Sequence, residues 1–104
     1  MTIRQLGRLW ICWFDVYPPN TTWNDVGGVY IFTYLNARNR WPALYIGIAD
    51  SFKNRLPNHD RWAEAQRAGA THIHARVVSP EASRQTIERE LIRMYQPPLN
   101  TQHK

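Results

Sequence analysis

Two apolar runs of strand length, joined by a polar turn, constrain the fold of this 104-residue chain more than any other feature. The runs are residues 28–35, GVYIFTYL, and residues 43–49, ALYIGIA, and NARNRWP lies between them. Short runs rich in β-branched and aromatic residues are typical of strands, and two of them around a polar turn predict a hairpin. In that hairpin, Tyr30 and Tyr45 would bring their hydroxyl groups near each other at one edge of the sheet.

Two more strands are predicted, one on each side of the hairpin in the sequence. Residues 8–17, RLWICWFDVY, have the aromatic and branched side chains of a strand. Residues 71–78, THIHARVV, alternate polar and apolar side chains, which indicates a strand with one face in solvent.

Helices are predicted between and after these strands. Asp50 or Ser51 can cap a short helical turn, which Pro57 interrupts because it lacks an N–H group. A second helix is expected over about residues 59–68, with Gly69 at its C-terminal end.

The last helix is expected to begin with Ser79 as N-cap and Pro80 at the first helical position, and to run about four turns. The order of elements predicts an α/β domain in which a small sheet has helices packed against it.

The composition limits the size of the fold and the classes of site. A chain of this length has room for one domain, so residues 1–104 are expected to form a single unit. Its single cysteine, Cys12, excludes an intramolecular disulfide and the usual cysteine-rich zinc sites, and is expected as a small core residue. No apolar run approaches a membrane span and no signal-peptide cleavage site is evident, so we expect a cytoplasmic protein without membrane contact.

The charge favours a polyanionic partner. The formal net charge is +5, and the pI is about 9.9. Residues 51–104 carry nine Lys and Arg against five acidic residues, a net +4, whereas residues 1–50 have a net +1. Nearly all of these cations are arginines, whose planar guanidinium suits phosphate oxygens, so polyanionic partners such as nucleic acid are favoured, although small basic domains without such a partner are common.

Four short motifs follow one another along the second and third quarters of the chain and its end. They are Gly28–Val29–Tyr30, Tyr45–Ile46–Gly47, the FKNRL segment with Arg55, and the segment from Glu88 to Asn100, ERELIRMYQPPLN. In this order and at these separations they resemble the GIY-YIG nuclease superfamily, over about residues 27–101.

The resemblance implies a small three-stranded antiparallel sheet flanked by helices, with residues 1–26 as an N-terminal extension. It also implies metal-dependent hydrolysis of DNA phosphodiester bonds, with low intrinsic sequence specificity expected in so short a chain. The residues that match the family's motifs, or lie at family spacing after the arginine, are the candidate catalytic residues: Tyr30, Tyr45, Arg55, His59, Glu88 and Asn100.

The chemistry of phosphodiester hydrolysis suits these residue types. Arg55 can stabilise charge on a nonbridging phosphate oxygen, and Glu88 can hold Mg²⁺ or Mn²⁺. The family counterpart of Tyr30 is proposed to take the proton from water, which requires a nearby cation because a free tyrosine has a pKa near 10. Tyr45 would orient water or phosphate, and His59 would bond to a tyrosine hydroxyl or to phosphate. Asn100, positioned by two prolines, would brace the site.

Six basic residues are candidate contacts to the DNA backbone, although each is equally consistent with an ordinary solvated side chain. They are Lys53, Arg61, Arg67, Arg84, Arg89 and Arg93. Action as a homodimer or with a partner protein is also compatible with the chain.

A second hypothesis is a nucleic-acid-binding module of the same fold without catalytic activity. Ile48 follows YIG where the family often has Lys, and Pro57 breaks the helix between Arg55 and His59. The presence of Glu88 and Asn100 favours the enzyme.

Two further features have modest interpretations. His72 and His74 alternate on one predicted strand face, but two histidines without a third ligand are seldom a metal site. Trp10, Trp13 and Trp23 are read as an extension of the core, with a protein-docking surface as the alternative.

Overall fold

The computed structural model describes residues 2–4 and 13–100. Its elements are β1 (Thr2–Arg4), β2 (Trp13–Tyr17), β3 (Gly28–Thr33), β4 (Ala43–Ala49), α1 (Phe52–Arg55), α2 (Trp62–Arg67), β5 (His72–Val77) and α3 (Glu81–Tyr95). The predicted core role of Cys12, the indole of Trp10 and the first part of the strand predicted over residues 8–17 lie outside the described residues, as does the side chain of Trp13. Among the described residues, no helix has the length and apolar character needed to cross a membrane.

The sheet has five strands in the order β1-β2-β5-β3-β4, and every neighbouring pair is antiparallel. The α/β class and the β3–β4 hairpin are therefore confirmed, whereas the expectation of three strands is wrong. The three expected strands form the β5-β3-β4 portion. On the side away from β3, β5 pairs with β2, with Asp15 opposite Ala75 and Tyr17 opposite Ile73. This pairing satisfies backbone groups of β5 that would have no partners at the edge of a sheet.

Helices cover both faces of the sheet, since alternate residues of a strand point to opposite sides. On one face, Tyr30 and Phe32 of β3 pack in a cluster with Phe52, at the start of α1. On the other face, Ile31 of β3 packs in a second cluster with Leu91 of α3. Trp23 is 7% exposed and belongs to the first cluster, so its predicted core role is confirmed.

The polar face of β5 is not in solvent, contrary to the alternation in its sequence. His74 is fully buried and His72 is half-buried. The indole of Trp41 crosses both imidazoles, with ring centroids 4.9 Å from His74 and 5.2 Å from His72. The turn that joins β3 to β4 thus covers the face of β5 that the alternation in its sequence predicted to be exposed to solvent.

Two of the three helix-end residues predicted from the sequence, Ser51 and Gly69, take the predicted positions, whereas Ser79 does not. Ser51 caps α1, and its hydroxyl accepts a hydrogen bond from the backbone N–H of Asn54 at 3.2 Å. Gly69, with φ of +113°, follows the end of α2 in a conformation that a side chain would disfavour. Ser79 is not the N-cap of α3, since Pro80 holds that position in an extended conformation and the helix begins at Glu81.

Arg84 is part of the core boundary rather than a DNA contact, so that prediction is wrong. Only 9% of the residue is exposed. Its guanidinium donates to the carbonyl oxygens of Val78 at 2.6 Å and Ser79 at 2.7 Å, and it pairs with Asp50 at 2.8 Å. Every guanidinium nitrogen is thereby used to fix the start of α3 against the end of β4.

Replacing His74 by leucine is expected to stabilise the protein by about 1–2 kcal/mol at neutral pH, because a buried polar group without a partner opposes folding. Neither imidazole nitrogen of His74 has a hydrogen-bond partner among the described residues. Burial, with a smaller contribution from His72, lowers the pKa of His74 to about 4. An unfolded histidine takes up a proton near pH 6.5, so the wild type should lose stability between about pH 6.5 and 4.

Urea unfolding from pH 7.5 to 4.5 checks this expectation. His74→Leu should show a weaker dependence of unfolding free energy on pH. The control His72→Leu should not raise the free energy of unfolding, since His72 is hydrogen-bonded to Thr71. A less stable His74→Leu with wild-type pH dependence would contradict the packing described above.

Arg84→Met should lower the free energy of unfolding by about 2–4 kcal/mol, since two carbonyl groups lose their donors. Arg89→Met, at an exposed position of the same helix, should change it by no more than about 0.5 kcal/mol. Equal stabilities of the two variants in urea would show that Arg84 has no structural role.

Candidate active site

Tyr30 is the centre of the candidate site, and its position follows from the register of the hairpin. Tyr30 lies directly opposite Gly47 in the β3–β4 ladder. A Cβ atom at residue 47 would overlap the phenol oxygen and ring of Tyr30. The glycine of the second motif is therefore required by close packing, because the Tyr30 phenol occupies the space above it.

The two tyrosines lie diagonally across the hairpin on the same face. Their ring centroids are 6.3 Å apart. Tyr30 is 1% exposed, whereas Tyr45 is half-buried. The hairpin therefore places the two rings near each other on one face, with Tyr30 deeper in the protein than Tyr45.

His59 binds the hydroxyl of Tyr30, and its tautomer can be assigned from its second partner. The Tyr30 oxygen is 2.5 Å from His59 Nε2, and His59 Nδ1 accepts the backbone N–H of Arg61 at 2.9 Å. A neutral imidazole that accepts at Nδ1 carries its proton on Nε2. His59 therefore donates to the Tyr30 oxygen.

His59 is uncharged under ordinary conditions. Burial, with a contribution from Arg55, lowers its pKa to about 4. The oxygen of Asp60 that lies 3.6 Å from Nδ1 is thus not the partner of a charged imidazole, because Nδ1 already accepts a hydrogen bond.

Arg55 and His59 reach Tyr30 without sharing a helix, as the interruption predicted at Pro57 requires. The helix α1 ends at Arg55, and a turn containing Pro57 separates it from His59. Arg55 donates to Asp60 at 2.9 Å, and its side chain remains 42% exposed. Because of this turn, the Asp60 carboxylate lies close enough to bind the Arg55 guanidinium, which remains accessible to solvent.

The ionisation of Tyr30 depends on opposing contributions. Burial raises its pKa above the ordinary value, as do the nearby Tyr45 and Glu88. The guanidinium of Arg55 acts in the opposite direction, by its charge and by hydrogen bonding. Burial is the largest contribution, so the hydroxyl is protonated at neutral pH.

Glu88 lies on α3, and its negative charge contributes to raising the pKa of both Tyr30 and Tyr45. Burial raises the pKa of Glu88 itself, and Arg89 partly offsets this. Among the described residues, Glu88 has no hydrogen-bond donor and no salt-bridge partner. A half-buried carboxylate without a partner is unusual and fits a cation ligand.

Among the described residues, Glu88 does not belong to a larger cluster of metal-ligating side chains. The described residues contain no group of three or more His, Cys, Asp or Glu that could enclose a metal ion. That arrangement fits Mg²⁺, which commonly keeps several waters and takes one or two carboxylates together with substrate phosphates. It does not fit a structural zinc, and His72 and His74 form no such group.

Asn100 binds the backbone of the YIG segment through both atoms of its amide. Its Oδ1 accepts the Ile46 N–H and its Nδ2 donates to the Ile46 carbonyl, each at 2.8 Å. The Leu99 N–H donates to the Leu44 carbonyl at 3.1 Å. The C-terminal segment therefore completes the outer edge of β4, next to Tyr45.

A bend places Asn100 at this edge. Gln96, with φ of 45°, ends α3 in a left-handed conformation. Pro97 is fully buried, and its carbonyl accepts the Asn100 N–H at 3.1 Å. The two-proline segment thus turns the chain from the helix toward β4.

Ile48 separates two open depressions beside the candidate site. One includes Arg55 and Asn54 of α1. The other includes Glu88, Arg89 and Arg93 of α3. The surface from Arg55 to Arg93 therefore runs across the end of β4, with Ile48 in the middle.

The remaining predicted DNA contacts differ in availability. Lys53, Arg67 and Arg89 are exposed, and Arg93 is exposed while paired with Glu90 at 2.8 Å. Arg61 points inward and donates to the Leu99 carbonyl at 2.8 Å.

Sequence reasoning missed Asp60, which holds Arg55, and the inward orientation of Arg61. Both follow from the turn at Pro57, which reverses the chain after α1. Pro57 was visible as a helix breaker, but the direction of the returning chain depends on packing against Tyr30 and Tyr45.

No protein-family model, curated protein or solved structure matches this chain. The resemblance to GIY-YIG nucleases therefore depends on the sequence motifs themselves.

Asn100→Ala should lower the free energy of unfolding by about 1–3 kcal/mol and accelerate hydrogen exchange at the Ile46 amide, because both polar groups of Ile46 lose their partners. The free energy of unfolding of Asn100→Asp should lie between those of the wild type and Asn100→Ala, since a carboxylate accepts from Ile46 N–H but cannot donate to its carbonyl. Asn54→Ala, at an exposed asparagine, is the matched control. Unchanged exchange at Ile46 in Asn100→Ala would refute the bracing role.

Proposed function

We propose that this protein is a metal-dependent DNA endonuclease with a GIY-YIG-type site. The observation that carries the proposal is the site around the Tyr30 phenol, which is hydrogen-bonded to His59 and lies within electrostatic reach of Arg55 and Glu88. These four residues come from a strand, a loop, a short helix and a long helix. A set of tyrosine, guanidinium, imidazole and unpaired carboxylate is suited to phosphodiester hydrolysis.

Arg55 is the residue proposed to bind the scissile phosphate. Its guanidinium is partly exposed, and Asp60 fixes its orientation at 2.9 Å. Arginine presents a planar set of donors that match phosphate oxygens, and a held donor stabilises charge that develops during displacement.

Tyr30 is the residue proposed to receive the proton of the attacking water, after the phenol has first lost its own proton to solvent. The His59 Nε2–H donates to the Tyr30 oxygen, and Arg55 favours its ionised form. Both interactions stabilise negative charge on the phenol oxygen as a proton leaves it. Tyr45, half-buried beside it, is placed to orient water or phosphate.

Glu88 is the residue proposed to hold Mg²⁺ or Mn²⁺. Such an ion, when bound, supplies positive charge to the phosphate and to the leaving oxygen. The protein's own contribution is a carboxylate that burial leaves poorly solvated and whose charge Arg89 offsets only in part.

DNA is proposed to lie across the end of β4, over Ile48. Arg89 and Arg93 on α3 and Lys53 on α1 are exposed on either side of that path. These cations suit contacts to phosphates, which give affinity without reading the base sequence.

The binding module without catalytic activity is the second candidate, and two observations favour it. Tyr30 is almost completely buried, which raises its pKa and opposes its use as a base. Ile48 supplies no charge at the centre of the proposed DNA path. A module of this kind would bind DNA through the same arginines and leave it intact.

Nicking of supercoiled plasmid in Mg²⁺ or Mn²⁺ distinguishes the two candidates. The wild type should cut, EDTA should abolish cutting, and Glu88→Gln should lower the rate by about 100-fold or more. Glu90→Gln, two residues further along the same helix, is the control and should retain most of the rate.

The stability of Glu88→Gln separates a catalytic role from a structural one. Since the carboxylate is desolvated and unpaired, the amide should leave the melting temperature unchanged or raise it. A wild type that shifts duplex and branched DNA on gels, but cuts neither in either metal, would establish the binding module.

A further inference from the structure

The side chain of Arg61 is held by three groups of the protein. Its Nη2 donates to the Leu99 carbonyl at 2.8 Å, and its Nε lies 3.1 Å from Glu64. The Cζ atom is 5.6 Å from the centre of the Tyr45 ring. Only 17% of the side chain is exposed, so the guanidinium has little surface left for a phosphate.

Tyr45 is enclosed by ring contacts together with this guanidinium. Phe32 stacks on it with centroids 5.7 Å apart, and His59 packs edge-on at 5.5 Å. A cation beside an aromatic ring is attracted by the ring's quadrupole. Arg61 therefore contributes both packing and attraction that restrict the ring.

The contact with Leu99 links Arg61 to the C-terminal segment that binds the outer edge of β4. Leu99 precedes Asn100, whose amide binds both polar backbone groups of Ile46. Ile46 follows Tyr45 in β4. Asn100 thus holds the backbone next to Tyr45, while Arg61, bound to the adjacent Leu99, holds the ring of Tyr45.

We propose that Arg61 is a positioning residue that fixes the ring of Tyr45, and with it the direction of the Tyr45 hydroxyl, in the site of the endonuclease. This inference rests on the proposed function, and it replaces the prediction that Arg61 contacts the DNA backbone. In this position Arg61 supplies a fixed positive charge to the YIG segment, which the apolar Ile48 does not supply.

The electrostatic surroundings of Tyr45 agree with this role. The titratable and charged groups around it are Tyr30, Arg55, His59, Asp60, Arg61 and Glu88. Burial raises the pKa of Tyr45, and Arg61 gives the largest opposing contribution, followed by Arg55. Loss of the Arg61 charge should therefore move the Tyr45 titration to higher pH.

The test uses Arg61→Gln, Arg61→Lys and the control Arg38→Gln, at an exposed arginine of the turn between β3 and β4. Three quantities are measured on the full chain: the ¹³Cζ resonance of Tyr45 across pH, the affinity for duplex DNA against salt without divalent metal, and kcat and KM for plasmid nicking. The first two require no cleavage, so they test the inference even if the endonuclease proposal fails.

For a positioning residue, Arg61→Gln should displace the Tyr45 resonance and its titration, lower kcat by about tenfold or more, and leave DNA affinity within about twofold. Arg61→Lys should restore much of the titration because it keeps the charge. Arg38→Gln should leave Tyr45, DNA affinity and kcat unchanged.

Two results would overturn the inference. One is a Tyr45 resonance and titration in Arg61→Gln that match the wild type. The other is a loss of DNA affinity with a salt dependence reduced by about one counterion, which is the signature of a phosphate contact. Displaced Tyr45 signals in a protein that never cuts DNA would retain the contact between Arg61 and Tyr45 and overturn the nuclease.

Discussion

The register that sets Tyr30 opposite Gly47 is the constraint on which the rest of the candidate site depends. Since side chains alternate along a strand, this register sends Tyr30 and Tyr45 to the face covered by α1 and the loop that follows it. A slip of one residue between the two strands would turn one of the two rings toward α3, and with it the whole inward face of the strand that carries it. The glycine makes the register selective, because the Tyr30 phenol fills the space where another residue would carry its side chain.

The outer edge of this hairpin would be exposed without the C-terminal segment. An edge strand presents unpaired backbone groups, and a short tail that binds them protects the strand and fixes its twist. Asn100 does this with a side-chain amide that binds one residue as a neighbouring strand would. The bend at Gln96 and Pro97 therefore serves the site indirectly, by holding the strand that carries Tyr45 and Gly47.

Local rules predicted the elements that local interactions decide. The hairpin, the Ser51 cap and the stop at Gly69 follow from composition, side-chain hydrogen bonding and backbone conformation within a few residues. The errors concern long-range packing. The alternation in β5 indicated a solvated face, but Trp41, some thirty residues earlier in the chain, covers His74. Arg84 has the helical spacing of a surface cation, yet carbonyl groups just before α3 bind it within the protein. Neither outcome can be read from the neighbouring sequence.

The charges around Tyr30 show why its chemistry must be considered together with Glu88. Arg55 and the His59 N–H favour the ionised phenol, whereas burial, Tyr45 and Glu88 oppose it. Burial is fixed by the fold, and the charge of Arg55 does not change over the working range of pH. The carboxylate of Glu88 is the member of the set whose charge can be neutralised without unfolding, by a cation or by protonation. Neutralising Glu88 lowers the pKa of Tyr30, so the affinity of the site for a cation and the basicity of the phenol are thermodynamically linked.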